Sequence, residues 1–236
     1  ALMAADAVET AVLTEAEAAA QLSLLAEDYF VLRAATSQPM SADDVPRCER
    51  PAGWAPDFSE QAMERRLADY AEYAQRLRAI LRASEPEHWP RAQQVDAAVV
   101  MAHLERLRWE QTVLRPSRRN PDFFLTQTLG AVQETLVGAE PIESAADRRL
   151  PELLVRLGAV PTVLEQAEAH LSAGEAEGEF ATIALSNLEG REGCCRRVIE
   201  AINVSLREGP GGVWAEEEAF LAAADAADAA VERFGA

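Results

Sequence analysis

The chain has 236 residues, 40 of them acidic and 22 basic, for a formal net charge of −18; every basic residue is Arg, and no Lys occurs. That charge argues against nucleic-acid binding and against attachment to an anionic membrane surface, both of which rest on clustered cationic side chains. The 49% hydrophobic and 26% charged fractions exclude a disordered or fibrous chain, and the length is sufficient to bury a core.

Helical signals recur along the chain and strand signals hardly at all, so the expected fold is all-α: an irregular bundle of about seven to eight helices in a single domain over 1–236. Thr14 and Glu17 form a capping box. Ala18, Leu22, Leu25, Tyr29 and Leu32 follow at 4, 3, 4, 3 spacing, which predicts a first helix ending near Thr36. Residues 37–57 read as one long Pro-rich connection carrying Cys48 and Trp54, either a lid or a wrap over the core. A second helix is expected after Asp57, capped by that carboxylate, with the stripe Met63, Leu67, Tyr70, Ala74, Leu77, Leu81. The third runs from about Arg91 to Leu114. Val95, Val99 and Ala102 form one apolar face and Val100, Leu104, Leu107 and Leu114 another, which predicts a central helix flanked on both sides and ended by Pro116.

Asn120 and Pro121 are the cap and first residue of a fourth helix that continues to Val137 and is closed by Gly138. Ser144 and Asp147 open a fifth, which the spacing of Leu150, Leu154, Leu157, Pro161, Leu164 and Leu171 continues across Pro161 as a kinked pair. After a turn over Gly174–Gly178, one segment from about Glu179 is weakened at Gly190 and Gly193 and resumes through Val198, Ile199 and Ile202. Gly209–Gly212 is a firm break. An Ala-rich last helix follows, with Phe220, Ala224, Ala227, Val231 and Phe234 on its stripe. No fixed-period repeat appears, which excludes a solenoid.

Few residues suggest chemistry. His88, His103 and His170 are far apart and outside any HExxH or HxH arrangement, so surface or capping roles are expected rather than zinc ligation. No phosphate-cradling glycine loop and no GxSxG elbow occurs. Cys194 and Cys195 are adjacent and stand beside Arg191, Arg196 and Arg197, whose guanidinium groups could lower a thiol pKa and create a reactive thiol. Arg115, Arg118 and Arg119 form a basic cluster able to receive a ligand's or partner's carboxylate or phosphate, or to pair with the chain's own acids. Three cysteines are too few for a disulfide framework. With no basic leader and no long apolar run, they point to a reducing, cytoplasmic setting. Arg and Ala in abundance without Lys suggest a GC-rich bacterial genome rather than a binding function.

Several segments are familiar together: AEDYF in the first helix, DFSEQAMERRLADY, LRW at the end of the third, RRNPDFFL, and RLGAVPTVLEQAEAHL. In this order they resemble the N-terminal half of the bacterial domain-of-unknown-function family 885, whose members look like all-helical zinc metallopeptidases. The closest matches are Asn120, Pro121, Phe123 and Phe124, then Arg156, Leu157, Pro161, Leu164, Gln166, Ala167 and Leu171. The family's HExxH helix and downstream Glu ligand belong to its C-terminal half and have no counterpart here. The resemblance therefore implies no catalytic residue and no cofactor in this chain, with zinc only in the C-terminal half. It implies a channel wall or lid whose partners are that half and a peptide substrate. The alternative is a stand-alone helical binding or assembly protein, metal-free and able to form a homo-oligomer through the last helix.

Overall fold

The computed structural model describes residues 12–36, 50–137, 141–171, 175–208 and 215–236. Among them the fold is all-α, with eight helices of eleven residues or more and one single-turn helix. The helices are α1 (Glu15–Thr36), α2 (Glu60–Arg82), α3 (Arg91–Trp109), the short α4 (Pro116–Arg119) and α5 (Pro121–Leu136). They continue as α6 (Arg149–Leu171), α7 (Gly178–Leu188), α8 (Cys194–Glu208) and α9 (Glu217–Phe234). No described helix is long and apolar enough to cross a membrane. Cys48, Gly138, Gly174 and the Gly209–Gly212 break lie outside the described residues. The described residues fall into two compact units, one within Ala1–Leu32 and Glu64–Val113, the other within Arg33–Met63 and Leu114–Ala236.

In the first unit, α1 begins at the expected capping box. The Thr14 N–H donates to Glu17 Oε2 (2.9 Å), and the Glu17 N–H donates to Thr14 Oγ1 (3.3 Å). The Thr14 hydroxyl also donates to Glu17 Oε2 (2.7 Å), and that bond, ahead of the one from the Thr14 N–H, holds the Glu17 carboxyl below its usual range. Ala18, Leu22, Leu25 and Tyr29 then pack with Tyr70, Ala74 and Leu77 of α2 and with Ala97, Val100, Leu104 and Leu107 of α3. Burying such side chains stabilises by about 1.5–3 kcal/mol each, whereas the exposed Arg76–Asp28 and Arg78–Glu105 pairs contribute at most about 1 kcal/mol each. Two expectations are corrected here. Among the described residues of this unit only one face of α3 is covered: Val95 and Val99 are 43% and 57% exposed, so within the unit the helix is not flanked on both sides. The helix also does not run regularly to Leu114, because its last turn widens to a π-turn over Glu110–Leu114.

The second unit is built around α6, which packs against α4, α5 and α9. α6 passes through Pro161 as one continuous helix. Its buried face is wider than the predicted stripe, with Leu153, Val160 and Val163 joining Leu150, Leu157 and Leu164. Asn120 caps α5 as expected, accepting the Asp122 N–H at 3.0 Å. The cap of α2 is a correction: Ser59 Oγ accepts the Ala62 N–H (3.3 Å), while Asp57 Oδ1 accepts from the Ser59 N–H (2.8 Å) and from Gln166 Nε2 (3.1 Å). Arg115 takes the left-handed conformation (φ 49°) immediately before Pro116, which therefore opens α4 rather than simply ending α3.

Of the predicted 37–57 connection, residues 37–49 lie outside the described residues; the described remainder is pinned to α6 and to the end of α1. Trp54 is buried and donates from Nε1 to the Ala35 carbonyl (2.8 Å). The Arg50 and Arg156 guanidiniums lie 4.1 and 5.3 Å from its ring centre. The Phe58 peptide is gripped from both sides by α6: its N–H donates to Gln166 Oε1 (2.7 Å) and its carbonyl accepts from His170 Nε2 (2.6 Å). Phe58, Phe123 and Phe124 meet edge to face, with centroids 5.2–5.5 Å apart. The Ala face of α9 is buried in this same core, with Phe220, Ala224, Ala227 and Val231 packed alongside Ile199 and Leu206 of α8.

Candidate functional site

The sequence Glu189–Gly193 splits what reads as one weakened helix into α7 and α8. Gly190 and Gly193 both adopt positive φ (74° and 63°), which other residues reach only with strain, and the chain is free to turn between them. The turn places Cys194 at the first position of α8, where its N–H donates to the Arg191 carbonyl (3.0 Å). Cys195 points into the core and Cys194 is half-buried. Gly193 has no side chain with which to cap α8. The cap comes from α9, where the Asp228 carboxylate accepts the N–H of Cys195 (3.0 Å) and of Arg196 (2.9 Å).

This arrangement separates two chemically identical thiols. The Cys194 thiol is lowered to about 7, chiefly because the Cys195 thiol hydrogen-bonds to it, with Arg197 and Arg191 assisting against burial and the Asp228 charge. The Cys195 thiol is pushed up by the same hydrogen bond, by burial and by the neighbouring negative charges. The result is an accessible sulfur with thiolate character beside a protonated, buried one. Of the three arginines flanking the pair, Arg196 is directed elsewhere: it grips both Asp225 carboxylate oxygens (2.8 and 2.7 Å) and Glu200 (2.8 Å). A cavity of about 250 Å³ adjoins the site, lined by Leu185, Leu188, Arg191, Glu192, Asp228 and Val231 among others.

Most of the other candidates are engaged in contacts within the chain. Arg115 pairs with Glu175 (2.8 Å) and Arg119 with Glu177, so two members of the basic cluster serve the chain's own acids, and Arg118 is half-buried beside them. His88 is exposed and meets Glu85 at 3.0 Å. The other two histidines depart from the surface or capping expectation. His103 Nδ1 lies 2.5 Å from Tyr29 Oη, and His170 is buried against Phe124 while bonded to Phe58. Asp228 is the residue that pattern reading misses. The available signal is its position on the 224, 227, 231 stripe, where an Asp on an apolar face needs a buried partner.

No protein-family model, curated protein or solved structure matches the chain. The resemblance to family 885 rests on its motifs alone.

Proposed function

We propose that this chain is the N-terminal helical region of a metallopeptidase-like protein of family 885, shaping peptide access to a zinc centre carried by a C-terminal half and not hydrolysing peptides itself. The observation that carries this reading is the convergence of the residues behind the resemblance. Asn120 caps α5, Phe123 and Phe124 pack on Phe58, Gln166 grips the Phe58 peptide, and Arg156 donates to the Ala131 carbonyl (2.8 Å) and Glu134 (3.0 Å). Leu157, Leu164 and Ala167 fill the same core. These residues thus belong to one packed core, in which the quoted segments meet.

A wall also needs surface to offer. Val95, Val99, Ala102, Trp109 and Val113 follow one another along the α3 stretch at helical spacing and remain exposed, available to a peptide or to further helices. The net charge of −18 would favour basic peptides along such a wall.

Translating the gene beyond codon 236 tests the proposal. An HExxH helix with a downstream Glu is expected in the same frame or an adjacent one, and the joint product should hold zinc and cleave peptides. A stop codon with no such frame overturns it and leaves the stand-alone helical binding protein.

A further inference from the structure

Three metal-ligating side chains from two helices meet at the start of α8. The Sγ atoms of Cys194 and Cys195 and a carboxylate oxygen of Asp228 all lie within 4.8 Å of one another. We propose that Cys194, Cys195 and Asp228 bind one soft divalent cation of the zinc and cadmium class, with the fourth position open to solvent at Cys194.

The geometry requires little adjustment. Tetrahedral coordination sets thiolates at about 2.3 Å and a carboxylate oxygen at about 2.0–2.2 Å, so neighbouring ligand atoms stand roughly 3.5–3.8 Å apart. The present set, within 4.8 Å of one another, therefore stands at most about 1 Å outside that span. The donor set also selects the ion. Two thiolates favour zinc or cadmium, whereas magnesium and calcium take oxygen ligands.

The surroundings hold the ligands ready. Asp228 is fixed by the two backbone N–H groups it accepts, and its oxygens retain lone pairs for an ion. Cys195 and Asp228 are buried, at 3% and 8% exposure, so neither has to be ordered on binding. On binding, the two thiols release their protons to solvent and two sulfur–metal bonds form. Three ligand charges against the ion's two leave one negative charge, beside Arg191 and Arg197. The ion would join α8 to α9.

Cadmium titration of the Cys48→Ser chain, which removes the third thiol, reads the thiolate-to-cadmium charge-transfer absorption. The band is expected to saturate at one cadmium per chain. Asp228→Asn should weaken binding by at least about tenfold, and Cys194→Ser by more than the roughly 10–100-fold that loss of an outer-sphere partner costs. Cadmium-113 resonance on the unsubstituted Cys194–Cys195–Asp228 site needs no further variant and should give one signal of mixed sulfur and oxygen ligation. Absence of a saturable band, a signal typical of oxygen ligands only, or a Cys194→Ser chain that binds as tightly as its parent would each overturn the proposal.

Discussion

The grip of α6 on the Phe58 peptide gives a prediction whose size follows from the structure. His170→Phe keeps a ring that can stack on Phe124, as the imidazole does with its plane 8° from that of the phenyl ring, but removes the donor to the Phe58 carbonyl. A buried carbonyl deprived of its partner costs about 1–3 kcal/mol. Gln166→Met keeps most of the side-chain length and removes the acceptor for the Phe58 N–H, at a similar cost of about 1–3 kcal/mol. In a chain of this size each kcal/mol lowers the melting temperature by roughly 2–4 °C, so either variant should melt about 2–12 °C early. Both residues hold the backbone of the same residue, Phe58. Once one bond is lost the segment moves and the other weakens, so the double variant should lose less than the sum, with a coupling of at least about 0.5 kcal/mol. Urea denaturation of the four proteins of the cycle measures all three quantities. Additive losses, or a His170→Phe chain within about 0.5 kcal/mol of the parent, would refute the view that this grip is a cooperative anchor.

Three further outcomes are expected. Asp228→Ala removes two charge-assisted bonds to the first turn of α8 and should cost about 2–4 kcal/mol in urea denaturation, with Asp228→Asn costing roughly half. Alkylation of Cys194, followed by peptide mapping in the presence of a chelator, should rise with pH around a midpoint of about 7, against 9.0 for an unperturbed thiol, while Cys195 stays unlabelled. Because the native state favours the Cys194 thiolate, that group adds stability as pH rises from 7 to 9 and loses it as pH falls through 7. Asp147 is held below its usual 3.8 by its hydrogen bonds from Arg149. Asp147→Asn should therefore cost up to about 1 kcal/mol near neutral pH, and the difference should shrink as pH falls below 3.8, as chemical denaturation at several pH values would show.

What the sequence disclosed depended on how local the interaction was. The α1 capping box closes within four residues, and the Asn120 cap within three, so both were readable. The stripes of α1, α2 and α9 reflect a helical period that any amphipathic packing must respect. The misses involve partners distant in sequence or choices between near-equal local options. Ser59 and Asp57 are both good caps, and only the fold decides which oxygen faces the first turn. Pattern reading covers both faces of α3 because it cannot know how many neighbours arrive. Gly190 and Gly193 read as weak points, yet a full turn requires the positive φ that only the folded chain reveals. The thiol pair was visible as Cys194 and Cys195, but its third member lies 33 residues on, inside an Ala-rich run that looks featureless.

That separation also orders events in time. A chain emerging from the ribosome completes the cysteine end of α8 before Asp228 exists. During that interval the Cys195 and Arg196 N–H groups lack the carboxylate that caps them in the folded chain. The arrival of α9 supplies the cap and shields Cys195 in one step. Loss of Cys195 labelling by a pulsed thiol reagent therefore acts as a clock for the docking of α9, with the half-buried Cys194 in the same molecule as the reference.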